Sequence, residues 1–123
     1  MRIEVQSAVA ARMGVALVAH VAEVQDGRRQ EALLTYGELR RRLVANGGSD
    51  VIERGMGRYL TQLADGLAAA GAPVALPSLV VTQKGGLNLD AYATYGITEE
   101  TLEAERLRAR QHDWRRAHFV VTS

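Results

Sequence analysis

Arginine is the chemically most suggestive residue in this chain, and its spacing points to binding rather than catalysis. Lys and Arg total 15 against 14 Asp and Glu, a net charge of +1, so the placement of the cations matters more than their sum. Arg40, Arg41 and Arg42 form one run, and Lys84 precedes the glycine pair Gly85-Gly86. Arg54 and Arg58 are four residues apart, which puts them on one helical face. Cations gathered on one face suit the phosphates of a nucleic acid, although dedicated nucleic-acid binders are commonly more basic overall. A second set, Arg106, Arg110, Trp114 and Arg115, joins an indole to guanidinium groups, the composition of a protein-binding hot spot, although Trp114, on the apolar stripe of the last helix, reads equally as a core residue.

The residues that would carry covalent or metal chemistry lack the necessary partners. Ser78 is flanked by Pro77 and Leu79, without the Gly-x-Ser-x-Gly frame of a nucleophile elbow. His112 and His118 are six residues apart and fall on different faces of a helix, so with Asp113 they read as solvated surface rather than a metal site. Lys84-Gly85-Gly86 lacks the Gly-Lys-Ser/Thr order of a phosphate loop and reads as a turn. With no cysteine, disulfides, thiolate nucleophiles and cysteine zinc sites are excluded. The expectation is a non-enzymatic protein that needs no metal and no cofactor.

A chain of 123 residues with 47% hydrophobic and 24% charged residues reads as one globular domain spanning 1–123. No apolar run approaches the about 20 residues that span a bilayer, and Arg12 and His20 interrupt the apolar N-terminal segment. It does not read as a signal peptide, and the expectation is a cytoplasmic protein with no membrane contact.

Helical spacing of Val9, Met13, Leu17, Val21 and Val24 predicts a first helix over about Val5–Val24, with Met1–Val5 readable instead as a short edge strand. His20 lies beside that buried stripe, where a lone histidine is more often packed than catalytic. Asp26-Gly27 marks a turn. Thr35 and Glu38 form a capping box for a helix over Tyr36–Ala45, with Leu34 and Leu39 as its hydrophobic staple. That helix ends at Asn46-Gly47-Gly48, and Asp50 with Glu53 starts the next, Val51–Ala70, closed by Gly71 and Pro73. Gly55 and Gly57 weaken its beginning and suggest close backbone approach or a start nearer Met56. Leu76–Thr82 reads as a strand held to an edge by Pro77. The turn Gln83–Gly86 then leads into a return strand at Leu87–Leu89. Thr98 caps a last helix reaching about Arg116, acids early and bases late, and Phe119-Val120-Val121 suggests a terminal strand.

Helix, helix and glycine-tipped hairpin, over residues 34–95, predict an α+β winged helix-turn-helix with an N-terminal helix, a small antiparallel wing and a C-terminal helix extension over 98–118. Thr35-Tyr36-Gly37, Arg54-Gly55-Met56-Gly57, Pro77-Ser78-Leu79-Val80-Val81 and Gly85-Gly86 resemble the winged-helix domain of the methylguanine-DNA methyltransferases and their alkyltransferase-like relatives. The resemblance covers about half the chain. It places Ser78 where the family has its methyl-accepting cysteine and Leu79-Val80 where it has the activating His-Arg pair. It therefore implies a non-catalytic DNA-binding protein, as in the alkyltransferase-like proteins, since a serine without a neighbouring base cannot accept an alkyl group by that route.

Two functions follow. One is binding of duplex DNA by Arg40, Arg41, Arg54, Arg58 and Lys84, with the second helix of the pair in a groove. The other is a protein-interaction adaptor or inhibitor docking through Arg106, Arg110, Trp114 and Arg115. By association with small winged-helix proteins, that second reading includes a phage or mobile-element product acting on a host defence complex. The C-terminal helix is also the candidate contact for a homodimer.

Overall fold

The computed structural model describes residues 1–45 and 53–122 and has an α+β architecture. Its centre is strand β1, Arg2–Val5, paired with β4, His118–Val121, and packed against helix α3, Glu53–Ala70. Ile3 and Val5 point into the core while Arg2 and Glu4 face out and pair with each other at 3.3 Å. Two close approaches fix this arrangement. A side chain at Gly66 would collide with the Glu4 carbonyl oxygen, and one at Gly14 would lie 2.6 Å from the Phe119 ring. Helix α1, Ala8–Gln25, crosses both α3 and β4, burying Met13, Leu17, His20 and Val21. Ser7 caps it, its hydroxyl accepting from the Ala10 amide at 3.1 Å, so the apolar stripe begins in a strand and passes into the helix at Ser7. By length and composition α1 could cross a membrane, but here its buried face builds the core.

The capping box stands as expected. Glu38 N–H donates to Thr35 Oγ1 at 3.2 Å, and Thr35 N–H donates to Glu38 Oε1 at 3.3 Å. It opens helix α2, Tyr36–Ala45, directly after the two-residue strand β2, Leu34–Thr35. The expected stop at Asn46-Gly47-Gly48 and start at Asp50 lie outside the described residues. Helix α3 is already formed at Glu53 and runs through Gly55 and Gly57; nothing lies within 4 Å of a side chain added at Gly57. This glycine therefore marks neither close approach nor a later helix start. Gly71, at φ 72°, ends α3 in the left-handed conformation.

The antiparallel wing is not formed, and this corrects the expectation for residues 76–89. Leu76–Leu79 is a 3-10 helix, with only Val80–Val81 extended as strand β3. Pro77 holds the φ of such a turn, Ser78 N–H donates to the Ala75 carbonyl at 3.0 Å, and the Ser78 hydroxyl reaches the same oxygen at 2.6 Å. Strand β3 pairs with β2 in parallel, Leu34 with Val80 and Thr35 with Val81. The connection between them contains α2 and α3, and a crossover of that kind returns the chain in the parallel sense. The turn itself exists: Thr82 N–H donates to the Gly86 carbonyl at 2.9 Å, and Gly85 takes φ 82°. Beyond it the chain leaves the sheet and winds into a second 3-10 helix, Leu89–Tyr95, so there is no return strand at Leu87–Leu89.

Helix α4 is shorter than expected, Leu102–Gln111. A turn from Thr98 precedes it, with Thr98 N–H bonded to Thr101 Oγ1 at 2.9 Å. The chain then bends so that β4 runs parallel to β1, Ile3 against Phe119.

Candidate nucleic-acid interface

Tyr36 is the first residue of α2 because the capping box holds Thr35 in place, and its ring forms one wall of a cavity of about 210 Å³. Tyr92, from the second 3-10 helix, forms another wall. Gly57, Arg58, Leu60 and Thr61 of α3 and Leu87, Asn88 and Ala91 complete it. Gly57 keeps the α3 side open, because it is exposed and carries no side chain. Thr61 is oriented by donating its hydroxyl to the Gly57 carbonyl at 3.0 Å. Burial raises the pKa of both tyrosine phenols lining the cavity, with Tyr36 adding to the effect at Tyr92. Both hydroxyls therefore remain protonated and able to donate at neutral pH. Outside the cavity, burial and a hydrogen bond to Asp65 push Tyr95 up to about 12.

The cations assigned to a nucleic acid are distributed unevenly around this recess. Arg58 is exposed at the rim, its guanidinium 5.3 Å from the centre of the Tyr59 ring. Lys84 is exposed on the turn between Thr82 and Gly86. Arg41 is exposed on α2 and lines a separate open cleft with Glu23, Arg29, Glu38, Arg42 and Ala45. Arg40 is half-buried on α2. Arg54 belongs to the first turn of α3, and its side chain lies outside the described residues. Arg42, from the same arginine run, is committed to an ion pair with Glu23.

The set assigned to a protein partner does not form one exposed patch. Trp114 is 5% exposed and donates its indole N–H to the Ala109 carbonyl at 2.8 Å, with the His112 ring edge-on at 4.5 Å. Arg106 is 8% exposed and donates to the Ser78 carbonyl at 2.7 Å and to Glu103 at 3.1 Å. Arg110 is half-buried. Arg115 alone is exposed, and it chelates Asp113 through two bonds of 2.9 Å, holding that carboxyl well below the usual range. Trp114 thus takes the core reading, and Arg106 is buried rather than exposed for docking.

Tyr92, a wall of the cavity, lies in a stretch that carries no periodic pattern in the sequence. Tyr36 had a local signal, the Thr-Tyr-Gly start of α2; the contributions of Thr61, Asn88 and Tyr92 had none. Ser78 is fully buried with its hydroxyl turned to Ala75, and Leu79 and Val80 beside it are apolar and buried. No family model, curated protein or solved structure matches this chain.

Proposed function

We propose that this chain is a non-catalytic DNA-binding protein. In this reading α2 and α3 act as a helix-turn-helix pair, with the Thr82–Gly86 turn in the place of a wing. The duplex is contacted through the start of α3 and that turn, and the cavity between α2 and α3 receives an unstacked base. The observation that carries this reading is the tyrosine-walled recess with Arg58 at its rim. Aromatic walls suit the face of a base, Asn88 and Thr61 supply polar groups for its edge, and the guanidinium suits the adjacent phosphate. At about 210 Å³ the recess is smaller than the about 300–1,000 Å³ of ordinary small-molecule sites, which favours a single ring system. The buried Ser78 hydroxyl has no base beside it, so the reading includes no group transfer.

A gel-shift titration at two salt concentrations tests the proposal. Affinity should fall steeply with salt as phosphate contacts release counterions, and Arg58→Ala should weaken binding and lower the slope by about one. Duplexes with a mismatched base should bind more tightly than matched ones, because a poorly paired base costs less to extrude. Tyr36→Ala should remove that preference while leaving the salt slope. Absence of any shift at low salt would exclude the reading. With Trp114 and Arg106 in the core, no observation favours the partner-docking alternative over it.

A further inference from the structure

His20 is fully buried in α1 with only half of its imidazole satisfied. Its Nε2 lies 2.9 Å from the Ala32 carbonyl oxygen, an acceptor, so Nε2 carries the proton. Nδ1 is then a bare acceptor, buried without a partner among the described residues. The segment that supplies the Ala32 carbonyl lies between α1 and the two-residue strand β2, whose pairing with β3 anchors its far end. The Arg28 and Arg29 amides donate to the Glu23 carbonyl at 2.9 and 3.2 Å. The Arg29 side chain pairs with Glu23 at 3.8 Å and with Glu38 at 3.3 Å. Glu38 is the carboxylate of the capping box that starts α2, and Glu23 also holds Arg42.

The charged groups facing the imidazole come from three elements: Glu23 from α1 itself, Arg29 from the covering segment and Arg42 from α2. Two of the three are cations, so an imidazolium would meet net positive charge as well as lose its water. Burial is the larger effect and lowers the pKa below the ordinary value. The closed arrangement therefore disfavours the imidazolium, and lifting the cover favours proton uptake.

We propose that His20 and the segment over residues 26–33 form an acid-sensitive latch, in which protonation of the exposed imidazole holds the segment open and loosens the start of α2. The lowered pKa sets the sign: closure is fully favoured above about 6.5, the ordinary histidine value. Closure then weakens as the pH falls below that value, because the open state binds the extra proton. Opening should increase by roughly tenfold per pH unit, levelling off once the closed-state histidine itself titrates. Because Glu38 caps α2 and Tyr36 is its first residue, the latch controls a wall of the cavity. The inference itself does not depend on what the cavity binds.

Amide hydrogen exchange on the whole chain between pH 7.5 and 5, corrected for intrinsic rates, tests the latch. Protection of the Arg28, Arg29 and Thr35 amides should fall as the pH drops through 6.5, while the central amides of α1 stay protected. In His20→Gln, whose amide can still donate to Ala32 but does not titrate, that pH dependence should vanish. A nuclear magnetic resonance titration should place the His20 midpoint below 6.5. A midpoint at or above that value would overturn the proposal. So would persistence of the pH dependence in His20→Gln, which would assign it to Glu23 and Glu38, or loss of protection in α1 in step with the segment.

Discussion

Arg58 and Arg106 make an instructive pair. Each is an arginine on a helix with a tyrosine nearby, yet Arg58 lies open at a cavity rim while Arg106 is sealed beneath α4. The difference lies in what each guanidinium faces. Around Arg58 the helix surface is thinned by Gly57, and the guanidinium lies over the Tyr59 ring. Arg106 faces the end of the first 3-10 helix, where the Ser78 carbonyl needs a donor, and its aliphatic stem packs where α4 meets that helix. The same residue type stands exposed at a cavity rim in one place and makes a structural bond in the other. Composition alone did not distinguish the buried Arg106 from the exposed arginines.

Four substitutions put the contrast between the two arginines to the test. Trp114→Ala should have the largest effect, about 3–5 kcal/mol of lost stability from the cavity it leaves. Its effect on DNA affinity, measured at a temperature where the variant stays folded, should be small. Equal DNA loss and stability loss would show that the α4 region touches the ligand after all. Arg106→Ala should cost about 1.5–3 kcal/mol by removing a charged donor from a buried carbonyl, read as a lower denaturation midpoint. Thr35→Ala should cost about 1 kcal/mol through the lost cap. An unchanged midpoint in that variant would mean that α2 does not depend on the cap. Arg58→Ala should change stability by about 0.5–1 kcal/mol at most, the worth of an exposed cation–π contact, while giving the clearest loss of DNA binding among the four. A stability loss as large as that of Arg106→Ala would remove the distinction between the two arginines.

The helical half of the fold was legible because its signals are local. Thr35 and Glu38 are three residues apart and make the box their spacing implies. Gly71 ends α3 where a left-handed residue was needed, and Gly85 turns the chain between Thr82 and Gly86. Those outcomes depend on bonds within one or two helical turns, and a sequence window of that size contains both partners. Of the candidate site, the same window singled out Arg58 and placed Tyr36 at a helix start, but showed neither the cavity nor Tyr92.

Local signals in the sequence thus located helices α1 to α4, the Thr35 cap and the glycine turns. Only the tertiary structure decided the sheets, because the partner of each strand lies far along the chain: Ile3 pairs with Phe119, and Leu34 with Val80. A two-residue strand such as Val80–Val81 is too short to show a period, and Pro77 and Ser78 satisfy their backbone locally in a 3-10 turn instead of extending that strand. Tertiary packing likewise decided that Trp114 and Arg106 belong to the core. Burial of an amphipathic side chain depends on whether an opposing element offers its polar end a partner, here the Ala109 and Ser78 carbonyls, and no local pattern records where that carbonyl will be.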